Sequence, residues 1–179
     1  MTHIVADILS LMQYTKSMEE EPERCRPDRC CNCGRANPCF HGCYPRKADR
    51  TNPHERTLNP ILIQRCYCRG CRKTFSILPE CIPRARWYLW EIQEMALALL
   101  LGGKSLRATA RELAPSRRTL ARWYNRFQEQ YRLYKDALCN YFVDFARTVG
   151  FIDFWQTCLN TITLAKAMRL CHVAGVTVP

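Results

Sequence analysis

Two cysteine pairs with the same spacing, Cys30-x-x-Cys33 and Cys68-x-x-Cys71, limit what this chain can fold into more than any other feature. A two-residue gap lets one backbone turn direct two thiolates toward a single ion, and a tetrahedral zinc site needs four such ligands. The sequence therefore predicts one structural zinc ion held by these four cysteines. Such a module folds around its metal and needs little apolar core of its own.

Further cysteines beside each pair leave open which two cysteines of each group bind the ion. Cys31 adjoins Cys30, and Cys66 precedes Cys68 by two residues. Both alternatives create a one-residue gap, which suits a metal-binding turn less well than a two-residue gap. A second zinc ion is an alternative for four further soft ligands: Cys25, Cys39, His41 and Cys43. The one-residue gaps within "CFHGC" are poor geometry for three bonds to one ion.

The distribution of the cysteines favours a reducing compartment over a secreted disulfide scaffold. Ten of the thirteen cysteines fall between Cys25 and Cys81, whereas a disulfide scaffold spreads them over a short secreted chain. The first residues lack the basic region and the cleavage site of a signal peptide. The longest apolar run, at 95–101, is far too short to span a bilayer. We expect thiolate-bound zinc in a reducing cytoplasm, with no membrane partner. The remaining cysteines are expected to be small apolar core residues: Cys81, Cys139, Cys158 and Cys171.

The order of the elements predicts an α+β, mainly α fold. A strand near Ile61 and a return strand in "KTFSIL" flank the second cysteine pair, and the polar stretch 44–59 is expected to be a loop or an irregular hairpin. Residues 1–14 show the apolar spacing of a short amphipathic helix. We therefore expect an N-terminal helix and linker at 1–24, a zinc ribbon at 25–82, a helix-turn-helix unit at 84–128 and a C-terminal helical segment at 129–179.

Cap residues set the expected limits of three helices. The first, at 86–101, is apolar on most faces and is stopped by Gly102-Gly103. Ser105 is the expected N-cap of a second helix, at 105–113, and Ser116 that of a third. The third helix has a predicted buried stripe: Leu120, Trp123, Tyr124 and Phe127.

Apolar residues continue at regular spacing from Phe127 to Phe145, without a glycine or proline before Gly150. This rhythm predicts one long helix or two consecutive helices that end at Gly150. We call these regularly spaced apolar residues the apolar seam. It can pack onto the chain's own helices, which is the favoured interpretation, or form a homodimer through residues 127–145. Two short helices are expected to follow, near 151–158 and 161–171.

The charge of the chain is strongly basic and clustered. The formal net charge is +11 at pH 7, with a pI of about 9.2. Between Arg107 and Arg126 there are six arginines and a single acid, Glu112. A basic surface attracts polyanions by releasing their counterions, so a cluster of this density beside helical signals favours a surface that contacts nucleic-acid phosphates over a merely solvated face.

The three helices between 84 and 128 suit a helix-turn-helix unit, in which the third helix enters the major groove of DNA by its N-terminal part. Arginine can pair bidentately with guanine, and asparagine with adenine. Lys104, Ser105 and Arg107 are expected to contact phosphate. The residues expected on the DNA-facing side of the third helix are Arg117, Arg118, Thr119, Arg122, Asn125 and Arg126. The alternative is an ordinary helical hairpin with a solvated arginine face.

At "RCYCRGCRKTF" and "SLRATARELAPSRRTLARWYNRF", the chain resembles the N-terminal region of bacterial insertion-sequence transposases and their small zinc-ribbon/helix-turn-helix accessory proteins. The resemblance covers about residues 28–128. It implies zinc binding by Cys30, Cys33, Cys68 and Cys71, with base reading by Arg117, Arg118, Thr119 and Arg122. It also implies a bacterial, nucleoid-associated protein. The turn differs from the family's pattern, since Ala114-Pro115 stands where glycine and an aliphatic residue are usual.

The favoured function is non-catalytic, site-selective binding of double-stranded DNA, as a regulator of transcription or transposition. An enzyme is the alternative of another class: a small or truncated transposase or a metal-dependent nuclease, for which Asp144 and Asp153 are the acids to test. A third class is a zinc-ribbon protein-interaction adaptor or an RNA binder, in which Tyr67 and Phe75 could stack on bases.

Overall fold

A computed structural model describes residues 2–47, 60–84 and 88–178 of the chain. The fold class is α+β, as predicted. The chain divides into two compact units, Met1–Trp87 and Tyr88–Pro179. The sheet and the two cysteine pairs belong to the first unit, and the arginine cluster belongs to the second.

The first unit is built on a four-stranded sheet in the order β1-β4-β3-β2. Strand β3 pairs antiparallel with both β2 and β4, whereas β1 pairs parallel with β4. A bulge interrupts β2 between Phe40 and Cys43. The strands are β1 (Thr2–Val5), β2 (Cys39–Arg46), β3 (Ile61–Cys68) and β4 (Lys73–Pro79).

The two strands around the second cysteine pair are confirmed. Ile61 and Ile63 are buried while Leu62 between them is exposed, which is the alternation expected of a strand with one face against a core. Cys68 lies opposite Lys73, so the Cys-x-x-Cys turn closes the hairpin between β3 and β4. Of the stretch 44–59, predicted to be a loop or an irregular hairpin, residues 44–46 belong to β2, which pairs antiparallel with β3, and 48–59 lie outside the described residues.

The prediction of a helix at 1–14 is wrong. Thr2–Val5 forms β1, and helix α1 begins only at Leu11 and continues to Glu20. Ser10 caps α1, since its side chain accepts a hydrogen bond from the backbone N–H of Gln13. A second short helix, α2 (Pro22–Cys25), occupies part of the predicted linker. Edge pairing with β4 therefore decides the conformation of the first residues, and local apolar spacing does not reveal such pairing.

In the described residues of the second unit, every regular secondary-structure element is a helix. Its elements are α3 (Trp90–Leu101), α4 (Leu106–Glu112), α5 (Arg117–Cys139), a 3-10 helix (Val143–Arg147), α6 (Gly150–Thr161) and α7 (Leu164–Val173). Ser105 and Ser116 cap α4 and α5, and Gly102 follows the last residue of α3, as predicted. Residues 86 and 87 of the predicted first helix lie outside the described ranges, and the helix begins at Trp90. No helix within those ranges combines the length and the apolar character needed to cross a membrane.

The long apolar rhythm after Ser116 resolves into one helix that ends earlier than predicted. Helix α5 stops at Cys139, and a 3-10 helix follows. Gly150 does not end this segment, because it is the first residue of α6 and adopts a φ of 80°. Glycine reaches this left-handed conformation at little cost, so it serves here as the bend before a new helix.

The apolar seam of α5 is used within the chain's own core. Phe127, Tyr134 and Leu138 are buried, and the rings of Phe127 and Tyr134 lie 5.1 and 5.7 Å from that of Trp155 on α6. Such edge-on aromatic contacts add to the hydrophobic burial of the rings. The exposed apolar side chains that remain for a homodimer through 127–145 are Leu133, Tyr141 and Val143.

Candidate metal centre and arginine surface

The four cysteines of the two Cys-x-x-Cys pairs meet in one cluster. Their sulfur atoms all lie within 4.8 Å of one another, and all four are free thiols. The Sγ atoms of Cys30 and Cys71 are 3.8 Å apart, and those of Cys33 and Cys68 are 3.6 Å apart. A tetrahedral zinc ion with bonds of about 2.3 Å to sulfur places its ligands about 3.8 Å from one another. The cluster therefore has the ligand type and the spacing to hold one metal ion.

The two turns that carry these sulfurs have the same backbone geometry. The backbone N–H of Gly34 donates to the carbonyl of Cys30 at 2.9 Å, and that of Arg72 donates to the carbonyl of Cys68 at 2.8 Å. Gly34 and Arg72 both adopt a left-handed conformation, with φ of 72° and 56°. Each turn thus brings the two thiols of its own pair to the same side of the backbone and returns the chain directly after the second cysteine.

Hydrogen bonds within the turns favour the thiolate form of two ligands. Asn32 stabilises the sulfur of Cys71 through its side chain and lowers the pKa of that thiol to about 6. The backbone N–H groups of Cys71 and Gly70 lower the pKa of Cys68. The thiolate is the form that binds a metal ion, so these donors prepare the cluster for one.

Neither alternative ligand set forms a comparable cluster. Among the described residues, the two predicted pairs are the one group of three or more cysteine, histidine or acidic side chains that meets closely enough to hold an ion. Cys31 is exposed, and Cys66 is fully buried with its pKa raised to about 11 by desolvation. The candidate second site does not assemble from its four residues: Cys25, Cys39, His41 and Cys43.

The cysteines predicted to be core residues are indeed largely buried. Cys81, Cys158 and Cys171 are buried, and burial raises the pKa of each thiol to about 12. Cys139 is half-buried. A thiol that stays protonated in apolar surroundings is inert, so these side chains act as small apolar residues.

The arginine cluster lies on the solvent side of α4 and α5. The side chains of Arg118, Arg122 and Asn125 are exposed and, at spacings of four and three residues, share one face of α5. No acidic group of the described residues lies within ion-pair distance of the exposed arginines of these helices. Within the cluster between Arg107 and Arg126 they are Arg107, Arg111, Arg117, Arg118 and Arg122, and Arg132 further along α5 is exposed as well. Their charge is therefore directed to solvent or to a ligand.

The other residues predicted to contact DNA have partners within the chain. Lys104 forms an ion pair with Glu112, with Nζ 2.6 and 2.7 Å from the two carboxylate oxygens. Ser105 caps α4, and Thr119 is half-buried with its N–H donated to the side chain of Ser116. These contacts make Lys104 a weaker candidate for phosphate binding than the arginines.

Arg126 lies apart from the exposed arginines on α5. Its side chain is half-buried and interacts with the hydroxyl of Tyr134, opposing the rise in the pKa of Tyr134 that burial causes. A residue left out of the predicted contact set, Arg111, is exposed instead. The four-residue spacing between Arg107 and Arg111 places both side chains on one face of α4. This spacing could have predicted that Arg111 belongs to the exposed arginine surface.

The residues named for the rival functions have local roles. Asp144 forms an ion pair with Arg147 at 3.1 Å, and Asp153 accepts a hydrogen bond from the backbone N–H of Val149 at 2.6 Å. Phe75 is buried in the sheet, so the prediction that it could stack on bases is wrong. Tyr67 is half-buried, and its ring lies 5.5 Å from that of His41.

Comparison of the chain with protein-family models, with curated proteins and with solved structures found no match. The sulfur cluster and the arginine surface are therefore the features on which a functional assignment depends.

Proposed function

We propose that the protein is a non-catalytic, site-selective double-stranded DNA-binding protein that contains one structural zinc ion. In keeping with the sequence resemblance, it acts beside a transposase and regulates transcription or transposition. The observation that carries this proposal is the group of exposed arginines on α4 and α5, which have no acidic partner among the described residues.

Zinc is the metal that suits the sulfur cluster best. Four thiolates form a soft ligand set, and the observed separations of 3.6 and 3.8 Å match the edges of a zinc–sulfur tetrahedron. Four protein ligands leave no open coordination position for water or substrate. The ion would therefore hold the two turns together and take no part in a reaction.

Duplex DNA suits the arginine surface for reasons of charge and shape. In the proposed helix-turn-helix, Arg118 and Arg122 extend from the first two turns of α5 and carry a planar group that can pair with guanine in the major groove. Arg107 and Arg111 on α4 contact the phosphate backbone. The N-terminus of α5 adds a partial positive charge directed at phosphate.

Selection of bound duplexes from random sequences, followed by substitution, tests the proposal. Arg118→Ala and Arg122→Ala are each expected to weaken binding to the selected sequence by about 1–3 kcal/mol and to relax specificity at one position. Arg147→Ala is the matched control, because Arg147 is an exposed arginine of the same unit that pairs with Asp144. It is expected to leave binding unchanged.

Three results would contradict the proposal. Failure of the selection to enrich any sequence would remove site selectivity. Tighter binding of single strands than of duplex would favour the RNA-binding alternative. Magnesium-dependent cleavage that is abolished by Asp144→Asn or Asp153→Asn would make the protein an enzyme.

A further inference from the structure

Cationic side chains also surround the sulfur cluster of the first unit. Five of them lie within two residues of one of the four cysteines: Arg29, Arg35, Arg69, Arg72 and Lys73. All five are exposed, and within the described part of the chain none has an acidic group at ion-pair distance. We call this set the turn cations.

Contacts within the turns hold two of these side chains beside the metal centre. Nη1 of Arg29 donates to the carbonyl of Gly34 at 3.4 Å. The side chain of Arg35 lies over Gly70, where an added Cβ atom would come within 2.6 Å of its Cδ atom. The first turn thus places a cation against the second turn, so charges that are distant in sequence form one surface.

The positive charge of the turn cations exceeds the negative charge of a four-thiolate metal centre. Four thiolates and a divalent ion carry a formal charge of about −2, which five cations exceed by about three. One acid, Asp28, lies equally close to a ligand in sequence and leaves a surplus of about two positive charges. Exposed charge of one sign without acidic partners suits a polyanion.

We propose that the turn cations form a second DNA-contacting surface, which binds the phosphate backbone of the duplex and reads no bases. The inference depends on the proposed function, in which the arginines of α4 and α5 bind the same class of ligand. Phosphate contacts of this kind raise affinity for every sequence equally and make it more dependent on salt. The metal centre then orders a binding surface as well as stabilising the first unit.

The salt dependence of duplex binding by the full, metal-loaded chain tests this proposal. Replacing two turn cations in Arg69→Gln/Arg72→Gln should make the slope of log affinity against log salt shallower by about 1.8, since each phosphate contact contributes about 0.9. Lys73→Gln, which replaces the turn cation at the first position of β4, should make the slope shallower by about 0.9. The charge-retaining variant Arg69→Lys/Arg72→Lys should keep the slope of the parent.

Lys16→Gln/Arg24→Gln is the matched control for net charge. It removes two cations from the same unit, but these pair with Glu20 and Glu21 and are more than two residues from each of the four cysteines in sequence. Its slope should equal that of the parent. Metal content is measured for every variant, so that loss of the ion is detected separately from loss of a phosphate contact.

Other outcomes separate this inference from the proposed function. An unchanged slope in Arg69→Gln/Arg72→Gln and in Lys73→Gln, with a shallower one in Arg118→Gln/Arg122→Gln, would overturn the inference alone. Weaker metal binding with an unchanged slope would also overturn it, and would assign the turn cations to charge compensation of the ion. Absence of salt-dependent duplex binding by the parent would overturn both.

Discussion

The residue that follows each Cys-x-x-Cys turn adopts a left-handed backbone conformation. Gly34 does so after the first turn, with φ of 72°, and Arg72 after the second, with φ of 56°. This conformation costs an ordinary L-residue about 1–2 kcal/mol, whereas glycine adopts it freely. The second turn therefore tolerates strain at Arg72, whose backbone N–H closes the turn onto Cys68.

Gly34 permits a test of this backbone requirement without a steric clash. An added Cβ atom would meet nothing within 4 Å, so Gly34→Ala changes the backbone energy alone. We expect Gly34→Ala to lower the free energy of unfolding of the metal-loaded first unit by about 1 kcal/mol, measured by denaturant titration. Gly34→Asn is the control, because asparagine tolerates the left-handed region, and it should cost less. Equal stability of the alanine variant and the parent would contradict the requirement.

The thiols of the cluster make metal binding dependent on pH. The N–H of Arg35 lowers the pKa of Cys33, but hydrogen bonding with the sulfurs of Cys68, Cys71 and Cys30, together with desolvation, outweighs it and the pKa rises to about 11. Cys33 therefore keeps its proton at pH 7 until a metal ion displaces it. Cys71, with a pKa of about 6, is already a thiolate at pH 7 and takes up a proton only below that value. Metal affinity should fall as the pH falls, and fall more steeply below about pH 6.

Competition with a chelator of known affinity, repeated across pH, measures this dependence. Calorimetry in buffers of different ionisation enthalpy should also detect release of at least one proton per ion bound at pH 7. An affinity that stays constant between pH 8 and pH 5 would show that thiolates are not the ligands.

At the scale of elements, the start of α5 determines where its arginines lie. The side chain of Ser116 accepts the backbone N–H of Thr119 at 3.3 Å, and α5 then runs unbroken for 23 residues. The cap fixes the first turn, so it fixes the direction of the arginine side chains that extend from it. Fraying there would loosen the face on which the proposed base contacts depend.

Ser116→Ala should lower the free energy of unfolding of the second unit by about 1 kcal/mol, because the capping acceptor is lost. Ser116→Asn keeps an acceptor and the net charge, so it should restore most of that loss. Thermal unfolding of both variants checks this expectation. If the asparagine variant were no more stable than the alanine variant, the serine would have another role.

Local signals in the sequence predict the elements that depend on local chemistry. The caps at Ser105 and Ser116 and the Gly102-Gly103 stop were correctly placed, because each acts within a few residues of itself. Strand β1 was missed because its conformation depends on pairing with β4, more than seventy positions away in the chain. The end of α5 at Cys139 and the start of α6 at Gly150 were not predicted either.

The candidate sites also combine features that local sequence predicts with features that tertiary packing decides. Cysteine spacing predicted the ligand set, because a two-residue gap constrains the turn itself. The arginine spacing predicted which residues share a face of α5. It did not reveal that Arg126 lies against Tyr134, or that Lys104 pairs with Glu112, since those contacts depend on tertiary packing.

At the scale of the whole molecule, the sulfur cluster and the helical core belong to separate compact units. The first unit contains the four clustered sulfurs, and the second has an aromatic core of its own around Phe127, Tyr134 and Trp155. Because metal binding contributes directly to the folding free energy of a small thiolate site, the two units should respond differently to chelation. Removing the ion should destabilise the first unit and leave the helical signal of the second.

The metal content of the purified full chain, measured together with its helical circular dichroism, tests the central claim most directly. The parent should carry one zinc ion per chain, and so should Cys31→Ser, which alters an exposed cysteine outside the cluster. Cys33→Ser should lose the ion and retain the helical signal of the second unit. A parent without stoichiometric metal, or a Cys33→Ser variant that binds zinc as tightly as the parent, would contradict the account.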